Sequence, residues 1–343
     1  MRVKLDRASF AKASGAGFVV GALVAGLGVY FLVPQQPQFQ ALRESDLASS
    51  TGYAFTDPLI GLASANTYNA PQYAKLMDQV QSYINTEKQT DLFSAAVKFN
   101  DIEASQGFTI DPTEQFDPAS LTKVPLAMAY YSLAETDFSV LQQKIKYTGT
   151  PDLDANEQIE SPMQLTPGES YTVEQMIEHM IRNSDNNAEQ LLADHLGKIG
   201  QLGVLSTLFN DLGIVNNPDN PDDTTVQQYS LFLRVLFNAT YLDRDYSEKL
   251  LSLLSQTDFG SGIDAGVPNN IVVSEKFGDA RIPNTQGQIV GAELQNCGII
   301  YYPNHPYLLC IMTKGNSVPN MERVIAQISR TIYDAVESKY PQS

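Results

Sequence analysis

The sequence contains the stretch Phe116-Asp117-Pro118-Ala119-Ser120-Leu121-Thr122-Lys123, which places a serine and a lysine three residues apart at the start of an apolar run. If the segment from Ala119 to Ser132 is helical, residues i and i+3 share a face, so the hydroxyl of Ser120 and the amine of Lys123 become neighbours. Pro118 suits a helix N-terminus, and the first-turn amide of Ser120 has no intrahelical acceptor. Ser-x-x-Lys alone is common by chance, so its meaning depends on partners elsewhere in the chain.

A second motif, Ser184-Asp185-Asn186, falls in a break between two predicted helices. The first of these helices opens on a capping-box pattern, Thr172-Val173-Glu174-Gln175. Such a loop can project a hydroxyl and an amide into a cleft. Taken alone, the three residues fit local helix capping at least as well.

A third motif, Lys276-Phe277-Gly278, follows a predicted strand from Ile271 to Glu275. A lysine at that place could supply a fixed positive charge to a cleft, and the glycine would let another backbone approach closely. A surface lysine near a strand end is the simpler interpretation of this motif by itself.

The three motifs in this order, 64 and 92 residues apart, resemble those of the penicillin-recognising serine enzymes, specifically the class A β-lactamases. Asp223-Thr224-Thr225 is similar to the segment that closes the omega loop of that family. The resemblance covers the chain from Gln72 to its C-terminus. It implies an α+β fold with a five-stranded antiparallel sheet flanked by helices, next to an all-helical lobe.

The resemblance also implies a role for each matching residue. The implied catalytic side chains are Ser120 as the acylated nucleophile, Lys123 as its base partner and Ser184 as the proton relay to the leaving nitrogen. The implied substrate-binding residues are Asn186, Lys276 and Gly278. The implied oxyanion hole consists of the backbone N–H groups of Ser120 and Asp279. The substrates would be β-lactams or D-alanyl peptides resembling those of peptidoglycan.

Two departures from the family pattern affect the expected activity. Phe277 replaces a threonine whose hydroxyl would help to hold a substrate carboxylate. The omega-loop segment between Leu212 and Asp223 contains no glutamate to activate the deacylating water. Asp219 or Asp222 is a poor substitute because the carboxylate is shorter and the loop is short. We therefore expect acylation to survive and deacylation to be slow.

A rival interpretation is a catalytically silent module that binds cell-wall peptide on the same fold. The sequence favours the enzyme, since it retains the complete set Ser120, Lys123, Ser184, Asn186 and Lys276.

The N-terminal region predicts a membrane anchor. Residues 1–12 carry four basic side chains against one acidic side chain, and residues 13–34 are uncharged and largely apolar. That length suits a bilayer span, and the basic flank predicts a cytoplasmic N-terminus. No Ala-x-Ala-like site precedes Pro34, which favours an uncleaved anchor over a signal peptide. We expect a single-pass membrane protein with a linker at 35–71 and an extracytoplasmic catalytic domain at 72–343.

Composition restricts the partners and cofactors. Beyond residue 12 the chain has 18 basic and 38 acidic residues, a net charge of −20, which disfavours nucleic acid. Three histidines and two cysteines without a cluster predict no metal site, and we expect no cofactor. Cys297 and Cys310 fall nearly opposite each other in a predicted hairpin, where a disulfide and two buried thiols are equally plausible.

Overall fold

The computed structural model describes residues 52–57, 69–155, 157–159, 163–214 and 223–342. The predicted anchor at 13–34 and the omega-loop residues Asp219 and Asp222 lie outside these ranges. Within them, no helix is both long enough and apolar enough to cross a membrane.

Within the described residues, five antiparallel strands form the central sheet, as the family resemblance implies. Their spatial order is β2-β1-β7-β6-β5, so β5 is an edge strand. Their bounds are β1 Leu92–Asp101, β2 Gln106–Ile110, β5 Val273–Pro283, β6 Ile289–Ile300 and β7 Tyr307–Gly315. A separate two-stranded ribbon pairs β3 Lys144–Lys146 with β4 Ser170–Thr172.

Helices cover the sheet on both sides. They are α1 Ala74–Glu87, α2 Lys123–Ala134, α3 Ser139–Gln142, α4 Val173–Arg182, α5 Asn186–Lys198, α6 Gly203–Asp211, α7 Val226–Phe237, α8 Arg244–Leu254 and α9 Val318–Lys339. The capping box predicted at Thr172 is confirmed, since its side chain accepts from the backbone of Gln175 and the Gln175 side chain accepts in return.

The two faces of the sheet bury two apolar cores because side chains alternate along a strand. In β7, Leu309 and Ile311 belong to the core that includes the terminal helices α1 and α9. Leu308 and Met312 belong to the core that includes α2 and α4 to α8. One face of the sheet therefore packs against the helical lobe. The motif residues come from both the lobe and the sheet, with Ser120 and Ser184 in the lobe and Lys276 on β5.

The nucleophile segment begins with a 3-10 turn, Ala119–Thr122, and α2 starts only at Lys123. Pro125 therefore lies in the first turn of α2, where backbone amides have no intrahelical acceptor. A helix over Ala119 to Ser132 would place Pro125 in its interior, where it would remove a backbone hydrogen bond; with α2 starting at Lys123, that loss does not arise.

The hairpin predicted between Cys297 and Cys310 is also present. The two residues are directly paired on β6 and β7, and their sulfurs form a disulfide. Of the two alternatives that the sequence leaves open, the structure has the cross-strand disulfide.

Part of the predicted linker contacts the domain. The backbone amide of Phe55 donates to Glu248 of α8 at 2.9 Å, and its ring packs edge-on against Tyr301 at 5.3 Å. This short segment is held to the domain by both polar and aromatic contacts.

Candidate active site

Ser120 and Lys123 lie side by side at the junction of the 3-10 turn and α2. In a 3-10 turn residues i and i+3 are stacked above each other, and Lys123 Nζ donates to Ser120 Oγ at 2.5 Å. The Lys123 side chain is completely buried. The preceding residue, Ala119, has φ +45°, which is uncommon for residues other than glycine. This backbone conformation sets the direction of the 3-10 turn that carries Ser120. The geometry permits proton transfer between the two groups whenever the amine is unprotonated.

Ser184 and Asp185 form the turn between α4 and α5. Ser184 has φ +57°, a strained value that typically costs about 1–3 kcal/mol. The buried carboxylate of Asp185 accepts from the backbone amides of Ala188 at 2.7 Å and Leu165 at 3.0 Å. Burial raises the pKa of Asp185. Asp185 therefore caps the N-terminus of α5, as the sequence allows for this motif. Its hydrogen bonds also stabilise the strained turn that presents Ser184.

Asn186, the first residue of α5, connects the nucleophile helix to a loop across the cleft. Its Oδ1 accepts from Lys123 Nζ at 2.5 Å, and its Nδ2 donates to Glu157 Oε1 at 2.7 Å. Burial, and next the nearby carboxylate of Asp279, raise the pKa of Glu157. One of the two N–H donors of the Asn186 amide is therefore engaged by Glu157.

Lys276 lies on the opposite side of the cleft from Lys123. Its Nζ donates to Ser184 Oγ at 2.8 Å and to the carbonyl of Phe277 at 3.1 Å. The side chain is fully buried, and burial, with the charge of Lys123 second, holds its pKa well below the usual value. The two lysines thus reach the two serines, Lys123 to Ser120 and Lys276 to Ser184.

The third motif lies within β5 instead of following a strand, which corrects the predicted boundary at Glu275. At Gly278 the edge strand runs against the nucleophile turn: a Cβ there would be 2.6 Å from the Pro118 carbonyl oxygen and 2.9 Å from the Ser120 amide nitrogen. There is no room for a side chain at position 278, so the position requires glycine. It also brings Asp279 next to the turn, while the oxyanion hole at Ser120 and Asp279 remains a prediction.

Phe277 has a packing role in place of the missing hydroxyl. Its ring stacks on Phe259 with centroids 4.2 Å apart and is 8% exposed. Two residues further along β5, burial raises the pKa of the Asp279 carboxyl, which accepts from Gln158 Nε2 at 2.8 Å. The cleft beside β5 is therefore lined by an aromatic pair and a carboxyl group.

Sequence reasoning missed one site residue, Glu189 of α5. Its Oε2 lies 3.1 Å from Lys123 Nζ, and its Oε1 accepts from Thr122 Oγ1 at 2.7 Å. The available signal was the spacing, because a residue three positions after Asn186 on a helix shares its face. Among the described residues, no group of three or more His, Cys, Asp or Glu side chains is arranged to hold a metal ion.

Known proteins resemble this chain in both sequence pattern and fold. The profile of a family described as the beta-lactamase enzyme family matches residues 75–336. A search of curated protein sequences gave no match.

Several solved structures share the fold. A mutant of PBP-A, in an acyl-enzyme complex with penicillin G, is 23% identical with a TM-score of 0.63, covering 77% of this chain and 97% of its own. A reconstructed last common ancestor of Gram-negative bacterial class A β-lactamases is 24% identical with a TM-score of 0.62, covering 77% and 100%. A β-lactamase from Sphaerobacter thermophilus is 19% identical with a TM-score of 0.62, covering 79% and 99%.

At these identities the structural matches establish the α+β β-lactamase fold, whereas the sequence profile establishes the family. The profile spans well over half of the chain. The chain belongs to the beta-lactamase enzyme family and is a serine hydrolase.

Proposed function

We propose that this protein acylates Ser120 with β-lactams or D-alanyl peptide-like substrates and that breakdown of the acyl-enzyme is its slow step. The observation that carries the proposal is the 2.5 Å contact between Lys123 Nζ and Ser120 Oγ in a member of this family. A serine hydroxyl becomes an effective nucleophile when an adjacent base takes its proton. The absence of glutamate between Leu212 and Asp223 supports slow deacylation.

In the proposed acylation, each lysine–serine pair moves one proton. Unprotonated Lys123 Nζ takes the proton of Ser120 Oγ, which forms a bond to the substrate carbonyl carbon. The carbon–nitrogen bond then breaks, and the leaving nitrogen takes a proton from Ser184 Oγ. Lys276 Nζ, 2.8 Å from that oxygen, can replace the proton. The backbone amides of Ser120 and Asp279 are the proposed donors to the oxyanion.

Intact-mass spectrometry with a fluorescent penicillin tests the proposal. The native protein should gain the mass of one penicillin, and Ser120→Ala should gain none. A silent peptide-binding module would bind ligand equally well with and without the Ser120 hydroxyl and would form no adduct. A native protein that gives neither adduct nor turnover, with penicillin or with a D-alanyl-D-alanine peptide, would refute the enzyme proposal.

We further propose that residues 13–34 anchor the protein in the cell membrane with residues 72–343 outside the cytoplasm. The basic residues 1–12 followed by an uncharged apolar stretch support this orientation. Protease added to intact spheroplasts should digest the domain while cytoplasmic markers survive. Protection of the domain under those conditions would contradict the orientation.

A further inference from the structure

Glu189 reaches the catalytic lysine from the helical lobe. It belongs to α5, and its Oε2 lies 3.1 Å from Lys123 Nζ. Its Oε1 accepts a hydrogen bond from Thr122 Oγ1 at 2.7 Å, which fixes the carboxylate orientation. A carboxylate is thus held beside the residue pair that would perform acylation.

The position of Glu189 relative to Ser120 suits a bridging water. Both Ser120 Oγ and Glu189 Oε2 lie within hydrogen-bonding distance of the same Lys123 Nζ. The two oxygens can therefore be no farther apart than two such contacts, which is the span that one water molecule bridges. The Glu189 side chain is 25% exposed, so water can reach it, whereas Lys123 is completely buried.

We propose that Glu189 is the base that activates the deacylating water, in place of the glutamate that the omega-loop segment lacks. This inference rests on the proposed acylation of Ser120. The water oxygen forms a bond to the acyl carbon while Glu189 takes a water proton. The bond from that carbon to Ser120 Oγ then breaks, and Oγ takes back a proton from the Lys123 ammonium. The carboxylic acid product and free Ser120 result; Glu189 then gives its proton to solvent, and Lys276 regains from solvent the proton that it supplied to Ser184.

The same contacts explain why this route would be slow. The two oxygens of Glu189 are engaged by Lys123 and by the Thr122 hydroxyl, so the carboxylate must share its lone pairs with the water. A purely structural ion pair is the competing role. Glu189→Gln separates the two, because glutamine keeps the shape and an oxygen acceptor for Thr122 but cannot take a proton.

The test compares acylation and deacylation separately in the full-length chain, with a fluorescent penicillin as the probe. Adduct formation is followed by intact mass, and adduct decay is followed after unbound penicillin has been removed. Glu189→Gln should form the adduct at close to the native rate, because it leaves the contact between Lys123 Nζ and Ser120 Oγ in place. Its adduct should persist about 100-fold longer, the lower range for loss of a general base.

Two further variants control the comparison. Glu189→Asp retains a carboxylate and should decay at an intermediate rate, and it provides the test if Glu189→Gln melts at a much lower temperature. Asp194→Asn removes one exposed carboxylate from the same helix and should behave as the native protein.

The outcomes separate this inference from the proposed function. An adduct that decays equally fast in native protein and Glu189→Gln would overturn the role of Glu189 and leave acylation of Ser120 standing. Slow adduct formation in Glu189→Gln with unchanged decay would assign Glu189 to positioning Lys123 and would also overturn the inference. A native protein that forms no adduct would overturn both.

Discussion

Replacing Gly278 by alanine tests whether the edge strand and the nucleophile turn form one catalytic unit. The added Cβ would lie 2.6 Å from the Pro118 carbonyl oxygen and 2.9 Å from the Ser120 amide nitrogen. Both are backbone atoms, which cannot rotate away as a side chain would. Restoring an ordinary 3.4 Å contact to the carbonyl oxygen requires the strand and turn to separate by roughly 0.8 Å.

A displacement of that size acts on the proposed oxyanion donors and the nucleophile together. Misplacement of about 1 Å can reduce a rate by about 100-fold, and loss of one oxyanion donor has a similar effect. We therefore expect Gly278→Ala to acylate about 100-fold more slowly, equivalent to about 2.7 kcal/mol of transition-state stabilisation. Overpacking should also lower stability by about 1–3 kcal/mol.

The assay is adduct formation with a fluorescent penicillin, accompanied by thermal melting to verify that the variant is folded. Gly203→Ala is the matched control, since a Cβ at that helical glycine meets no atom within 4 Å. Acylation of Gly278→Ala at the native rate would show that the close approach at β5 has no part in the chemistry.

Two further predictions concern stability. Asp185→Ala removes the N-cap of α5, which should lower stability by about 1 kcal/mol. It also leaves the backbone amide of Leu165 without its acceptor, a further loss of about 1–3 kcal/mol. An unchanged melting temperature would contradict this prediction. Burial raises the pKa of Glu275 well above its ordinary value. The folded state therefore holds a proton that the unfolded chain releases. Because of this difference, the free energy of unfolding should fall as the pH rises above about 4.3, the ordinary pKa of glutamate. Glu275→Gln should therefore melt at a higher temperature than the native protein at pH 8, with the difference closing towards pH 4, and a difference independent of pH would be the contrary result.

Periodic and local patterns explain the parts of the site that the sequence predicted. The spacing of Ser120 and Lys123 places them together in either type of helical turn, because three residues complete close to one turn of both. The capping box at Thr172 likewise depends on neighbouring residues alone. Such features do not require knowledge of tertiary packing.

The features that were missed depend on packing between distant elements. The predicted strand ended at Glu275, but β5 continues to Pro283, because β6 pairs with it over its whole length. The role of Glu189 depends on how α5 lies against α2. Its three-residue spacing from Asn186 indicates a shared helix face, but that spacing does not show that this face meets Lys123.

The two buried lysines differ in what their neighbours allow. The family resemblance implies that Lys276 attracts a substrate carboxylate, which requires a positive charge. Burial and Lys123 lower its pKa, its amine already donates to Ser184 and the Phe277 carbonyl, and the Phe277 ring lies 4.3 Å from it. This environment suits delivery of a proton to Ser184 better than capture of an anion.

Phe277 also disfavours capture of an anion, because an aromatic ring stands where the family's threonine hydroxyl would help Lys276 to hold a substrate carboxylate. A penicillin would then gain little binding energy from its carboxylate at this end of the cleft. We accordingly expect weak initial binding, so that the covalent bond to Ser120 accounts for most of the retention of the substrate. The proposed slow deacylation would then serve to hold the substrate, because the covalent bond replaces the missing contacts to its carboxylate.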